Sequence, residues 1–127
     1  MPDVLVDTSI WIDVLRGKDP EIQGRVAILL RRERAVLCGI VEMELLHGMR
    51  RLERETLQEL FSPLPYLEVD RNDWQAAGDL LSSLRSQGIN IPATDALIGT
   101  LCIRYGLSLL TKDKHFQSIP RLEMFKE

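Results

Sequence analysis

The sequence has no long apolar run and no recognisable export signal. It contains no stretch of about 18 uncharged apolar residues, so we expect neither a transmembrane helix nor a membrane partner. The first residues, Met-Pro-Asp-Val-Leu-Val-Asp, include no basic segment and no cleavage site, so we do not expect a signal peptide.

Cysteine and positive charge are also scarce. Cys38 and Cys102 are far apart in the sequence, which suits neither a metal pair nor a disulfide framework. Both have apolar neighbours, so we expect buried free thiols in a protein of the reducing cytoplasm. The chain has 16 Lys and Arg against 19 Asp and Glu, and this balance argues against a protein that coats nucleic acid by electrostatics alone. It is compatible with an enzyme that reaches phosphate groups through a bound cation.

Strand-like and helix-like segments alternate along the 127 residues, which we interpret as a single domain over 1–127. The predicted strands are Val4–Val6, Ala35–Cys38, Tyr66–Val69, Leu107–Leu110 and, at an edge, Leu122–Phe125. The predicted helices are Ile10–Arg16, Pro20–Leu30, Ile40–Leu46, Leu52–Phe61, a segment from the Asp70 cap through Leu84, and Ala93–Tyr105. This alternation predicts a three-layer α/β/α fold with a central, mainly parallel sheet of four to five short strands.

Four acidic residues occur where such a sheet would bring them together. Asp7 follows the first predicted strand and Asp113 follows the fourth, while Glu44 and Asp95 belong to predicted helices. The carboxyl ends of parallel strands share one edge, and ligands bind at that edge. Because carboxylates are the ligands that hard divalent cations prefer, this pattern favours a metal site.

Each acid also has a purely structural interpretation. Asp7 can cap the following helix, although Thr8 and Ser9 can cap it equally well. Asp95 in a first helical turn is favoured by the helix dipole, and we expect Gly99, one turn on, to leave room beside it. Asp113 can be an ordinary turn residue.

Glu42 and Glu44 lie two residues apart on one helix, which separates them by about 200° of rotation. Only one of the two can face a shared site, and the helical pattern alone does not choose between them.

The two histidines suggest a different chemistry. His47 and His115 could form an acid–base pair that cleaves RNA without metal. Alternatively, His47 serves the C-terminal end of its helix and His115 is half-buried beside Phe116. A third possibility is an α/β interaction module without catalytic activity, whose acids only cap helices.

Other charged residues have equally open interpretations. The basic runs 31–34 and 50–51 are solvated helix ends or phosphate contacts. Asp70 and Lys112, together with Asp7, faintly suggest a phospho-acceptor receiver domain. That architecture needs paired acids after the first strand, whereas Thr8 follows Asp7, so Asp70 is better interpreted as a helix N-cap.

Four motifs in this order resemble the PIN-domain family, and within it the VapC-type toxins of toxin–antitoxin pairs. They are Val-Asp7-Thr-Ser-Ile-Trp, Glu44-Leu-Leu-His-Gly48, Thr94-Asp95-Ala-Leu-Ile-Gly and Leu-Leu-Thr111-Lys-Asp113-Lys-His-Phe116. The resemblance covers essentially the whole chain. It favours Glu44 over Glu42, because the family's second acid precedes a Leu-x-x-Gly stop.

The resemblance implies an endoribonuclease that depends on Mg²⁺ or Mn²⁺. It implies a catalytic set of Asp7, Glu44, Asp95 and Asp113, with Asp7 and Asp95 as direct metal ligands. Asp113 occupies the position of this set that varies within the family, and it can bind the metal through a water molecule. Hydroxyl groups that orient the acids are implied at Thr8 or Ser9 and at Thr111.

The resemblance also implies an RNA substrate, a cognate antitoxin that covers the site, and a homodimer. An apolar surface independently favours a homodimer, because a surplus of exposed apolar side chains usually marks an interface. We expect that surface around Leu45, Leu46, Met49, Leu52 and Leu60, unless these residues complete the core of the monomer.

Overall fold

Five short parallel strands form the centre of the molecule in the computed structural model, which describes residues 3–126. They are β1 (Val4–Val6), β2 (Ala35–Cys38), β3 (Tyr66–Leu67), β4 (Ser108–Leu110) and β5 (Glu123–Met124). The strand order is β3-β2-β1-β4-β5, and every pairing is parallel. β1, β2 and β4 are buried along their whole length, as expected for parallel strands covered on both faces.

Six α-helices and one 3₁₀ helix surround the sheet. They are α1 (Thr8–Arg16), α2 (Pro20–Arg31), α3 (Gly39–Gly48), α4 (Arg51–Phe61), α5 (Arg71–Ser86), α6 (Ala93–Tyr105) and the 3₁₀ helix Lys114–Ser118. Right-handed crossovers place α1 to α4 on one face and α5 with α6 on the other. The predicted α/β/α fold with a parallel sheet is therefore confirmed. Over residues 3–126, none of the helices combines the length and apolar character that a membrane span requires.

The predicted boundaries of β1, β2 and α6 are confirmed, whereas other boundaries differ by a few residues. The third strand is shorter than predicted, because β3 pairs only with Leu37 and Cys38 of β2. The segment predicted as a turn after β4 continues into the 3₁₀ helix, whose first residue is Lys114.

The core of the molecule includes most of α6 and both cysteines. Residues 95–102 of α6 are all buried, which explains why this helix is apolar on every side rather than along one stripe. Cys38 and Cys102 are free thiols and are buried, as predicted. Burial raises the pKa of the Cys38 thiol to about 11 and also raises the pKa of Cys102. Neither thiol is therefore poised to react.

The apolar region predicted around α3 and α4 divides between core and surface. Leu45 is only 1% exposed, and Met49 and Leu60 are half-buried against the core, as the alternative interpretation expected. Leu46 is half-buried and lines a surface groove. Leu52 is different, because 78% of it remains exposed.

Candidate active site

Asp7 lies at the carboxyl end of the central strand. Its backbone N–H donates to the Leu110 carbonyl oxygen (3.0 Å), so the end of β1 lies beside the end of β4. The carboxylate is 5% exposed, and its Oδ2 accepts hydrogen bonds from Thr111 Oγ1 (2.7 Å) and Ser9 Oγ (3.2 Å). The two hydroxyls hold the carboxylate in one orientation.

The start of α1 differs from the prediction that Thr8 or Ser9 caps it. The helix begins at Thr8, and Asp7 occupies the N-cap position without making a side-chain capping bond. Thr8 and Ser9 are the first two residues of the helix rather than its N-cap, and their hydroxyls donate to carboxylates. The Asp7 carboxylate is thus directed to the sheet edge rather than to the helix backbone.

The two glutamates of α3 point to different neighbours. Glu44 Oε1 accepts a hydrogen bond from Thr8 Oγ1 (2.9 Å), which brings Glu44 next to Asp7. Glu42 lines a separate apolar groove with Tyr66, and its charge contributes to the raised pKa of that phenol, after burial. Glu44 is therefore the glutamate that the fold places beside Asp7.

Asp95 lies in the first turn of α6, where it is 7% exposed. The pKa of this carboxyl is raised to about 6, mainly by burial and also by the nearby charges of Asp113 and Asp7. A hydrogen bond with His115 opposes the shift. The site therefore places a carboxylate where its negative charge is poorly compensated.

Asp113 follows β4 and is the N-cap of the 3₁₀ helix. Its Oδ1 accepts a hydrogen bond from the His115 backbone N–H (2.9 Å), and its own N–H donates to Thr111 Oγ1 (3.0 Å). Thr111 also donates to Asp7, so a single hydroxyl links the acids that follow the two neighbouring strands.

His115 is the site residue that sequence reasoning assigned to a different role. Its Nδ1 lies 3.3 Å from Asp95 Oδ2 and 3.1 Å from Asp113 Oδ1. His47, its proposed catalytic partner, is an exposed residue in the last turn of α3. The available signal was the spacing Asp113-x-His115, which places both side chains in one tight turn.

The space beside Gly99 is filled, contrary to our expectation that this glycine leaves room beside Asp95. A Cβ added at Gly99 would lie only 2.7 Å from Ile119 Cδ1. The missing side chain therefore lets the segment after the 3₁₀ helix pack against α6. This packing brings Asp113 and His115 to Asp95.

Asp95, Asp113 and His115 form a group of donors that can hold a metal ion. One ligand atom from each residue lies within 4.8 Å of the other two. The hydroxyl-bound carboxylate of Asp7 contributes to the negative charge at Asp95 from outside this group. Carboxylate oxygens and one imidazole nitrogen suit a divalent cation, which would also offset the charge that raises the Asp95 pKa.

Two charged residues that the sequence left open, Lys112 and Asp70, interact with other protein groups. Lys112 forms ion pairs with Asp13 and Asp19. Asp70 caps α5 by accepting from the Asp73 N–H (3.1 Å), as predicted, and pairs with Arg104. In the basic runs, Arg31, Arg32, Arg50 and Arg51 are exposed.

Comparison with known proteins identifies the family. A model of the PIN domain matches residues 4–122. The chain is 32% identical over 124 residues to ribonuclease VapC11 of Mycobacterium tuberculosis, covering 94% of this chain and 92% of that protein. This chain belongs to the PIN-domain family.

Solved structures show the same fold. DNA-bound VapBC from Salmonella typhimurium has a TM-score of 0.84, 21% identity and 98% coverage of both chains. A toxin–antitoxin complex from Klebsiella pneumoniae has a TM-score of 0.67, 25% identity and 93% coverage of both chains. The residues matched by the PIN-domain model include all four acids and His115.

Proposed function

We propose that this PIN-domain protein is a divalent-metal-dependent endoribonuclease that hydrolyses RNA phosphodiesters. The supporting observation is a chain of hydrogen bonds that connects four acids from separate parts of the sequence through Thr8, Thr111 and His115; the acids are Asp7, Glu44, Asp95 and Asp113. The identity to a VapC ribonuclease supports RNA as the substrate.

The four acids have distinct roles in this proposal. Asp7 and Asp95 bind Mg²⁺ or Mn²⁺ directly, and Glu44 and Asp113 complete the acidic site. Thr8 holds Glu44, while Ser9 and Thr111 hold Asp7 through the hydrogen bonds described above. When bound, the cation supplies activation of the attacking water and charge neutralisation at the phosphoryl group. The products carry 5′-phosphate and 3′-hydroxyl ends.

The charge of the site explains why a cation is needed for substrate approach. Four carboxylates repel a phosphodiester, and nearby Lys112 is engaged by Asp13 and Asp19. The cation offsets the repulsion between acids and RNA at the position where the phosphate must bind.

We further propose that the protein is the toxin of a type II toxin–antitoxin pair, acts in the cytoplasm and forms a homodimer. The complexes among its structural neighbours support an antitoxin partner. The buried free thiols are compatible with a reducing compartment. In support of the dimer, Leu52 on α4 and Met43 on α3 are exposed apolar side chains that an interface would cover.

The test of the acidic site is RNA cleavage by purified Asp7→Asn and Asp95→Asn variants. Each should lose activity by about 100-fold or more, because each removes charge that acts on the transition state. Asp79→Asn is the matched control, since Asp79 is an exposed acid on α5 and should leave the rate unchanged. Circular dichroism checks the fold. Wild-type rates in either site variant would refute its assignment as a ligand.

A further inference from the structure

His115 adds a nitrogen donor to a group otherwise made of carboxylates. Its Nδ1 is the ring atom closest to both Asp95 and Asp113, so it faces the point where the two carboxylates converge. Its side chain is 54% exposed, so a cation arriving from solvent can reach this atom.

The two contacts of Nδ1 have the spacing of adjacent ligands around one metal ion. Bonds of about 2.0–2.2 Å put adjacent ligand atoms about 2.8–3.6 Å apart, with octahedral coordination at the short end and tetrahedral coordination at the long end. The two distances from Nδ1, 3.3 Å and 3.1 Å, lie in this range. The imidazole therefore needs little movement to share a cation with both acids.

The position of His115 is fixed by its surroundings. Its backbone N–H donates to Asp113 Oδ1, which sets the two side chains of the turn relative to each other. Phe116 is 1% exposed, and Ile119 packs where Gly99 has no side chain. This packing preorganises the nitrogen ligand before metal binds.

We propose that His115 is a direct metal ligand and that its nitrogen makes the site prefer Mn²⁺ over Mg²⁺. This inference rests on the proposed function for a metal bound at Asp95, and it adds His115 to the ligands proposed there. Mg²⁺ is a hard cation that demands near-ideal octahedral geometry and usually keeps several of its waters, so it gains little from an imidazole ligand. Mn²⁺ also accepts carboxylates, and as a first-row transition ion it can take a nitrogen ligand beside them.

Pulsed electron paramagnetic resonance of bound Mn²⁺ tests the ligand directly. The wild-type protein should show coupling of the Mn²⁺ electron spin to a ¹⁴N nucleus, and His115→Asp should bind Mn²⁺ without that coupling. His47→Ala is the matched control and should retain it. Absence of ¹⁴N coupling in the wild type, or its persistence in His115→Asp, overturns the proposal.

Calorimetry tests the selectivity. His115→Ala should raise the Kd for Mn²⁺ at least about tenfold, while the Kd for Mg²⁺ changes by less than about threefold. An equal change for both metals overturns the selectivity, because a purely structural role for His115 would weaken both. Circular dichroism of both variants checks that the fold is intact.

Failure of this inference is distinguishable from failure of the proposed function. If the wild type cleaves RNA, Asp95→Asn does not, and ¹⁴N coupling is absent, the histidine ligand alone is wrong. If the coupling is present but no RNA is cleaved with any cation, the ligand is supported and the ribonuclease assignment fails.

Discussion

At the residue scale, the acids are held in a charge arrangement that opposes folding without a cation. The Asp95 pKa rises from 3.8 to about 6, first through burial and then through Asp113 and Asp7. Ionising Asp95 in the folded protein therefore costs stability. This cost is absent below pH 3.8, grows as the pH rises toward 6, and is fully present above about pH 6. Metal-free protein should therefore lose stability across this pH range.

Asp95→Asn should be more stable than the wild type in EDTA at about pH 7, by about 1–3 kcal/mol, because the neutral amide avoids this cost. The gain should vanish near pH 4 and should shrink or reverse in millimolar Mg²⁺, since cation binding stabilises the intact site. Thermal melting at each pH measures it. Glu42→Gln should change stability in a way that depends neither on pH nor on metal, because Glu42 faces Tyr66 rather than the acidic site. A metal-independent gain in Asp95→Asn would contradict this account.

Some residue-level contacts could be predicted from sequence and others could not. Asp7 and Asp113 each follow an apolar strand, so the parallel topology alone predicts that they lie at the same edge of the sheet. The approach of His115 to Asp95 depends on a 3₁₀ helix and on packing between residues 20 apart. Neither feature has a periodic sequence pattern, so the spacing Asp113-x-His115 could indicate the contact with Asp113 but not the one with Asp95.

At the scale of elements, capping residues and apolar length made α6 and β2 predictable to the residue. Gly106 adopts a left-handed conformation (φ 67°) and ends α6 as expected. The filled space at Gly99 was not predictable, because a glycine in a helix shows only that a side chain is missing. Whether an opposing side chain occupies the gap depends on tertiary packing.

Gly99→Ala should lower stability by about 1–3 kcal/mol, since the added methyl overlaps Ile119 and the neighbour must move. It should also weaken metal binding, because that segment positions Asp113 and His115. Gly78→Ala is the matched control, since its Cβ would meet nothing within 4 Å and helix propensity alone should stabilise α5 by up to about 1 kcal/mol. Chemical denaturation compares them. Equal effects would show that the contact between Gly99 and Ile119 is unimportant.

At the scale of the whole molecule, alternating strands and helices were sufficient to predict the layered parallel fold. The same pattern did not predict which apolar residues stay exposed, because α3 carries apolar residues on every side and only tertiary packing decides which of them face solvent. Leu45 is consequently in the core, and only part of the expected surface remains.

The homodimer should give twice the monomer mass of 14.5 kDa by light scattering at micromolar concentration. Leu52→Glu should reduce the dimer fraction if this exposed side chain lies in the interface, because it would bury a charge there. Glu55→Gln, an exposed change on the same helix, is the control. A monomeric wild type would contradict the dimer.

The most direct test of the central claim is the metal dependence and end chemistry of RNA cleavage by the wild-type protein. The acidic site predicts activity with Mn²⁺ or Mg²⁺, loss of activity in EDTA, recovery when the cation is restored, and 5′-phosphate with 3′-hydroxyl ends. Cleavage that persists in EDTA and leaves 2′,3′-cyclic phosphates would contradict the account, because it would assign the chemistry to His47 and His115 instead of the four acids.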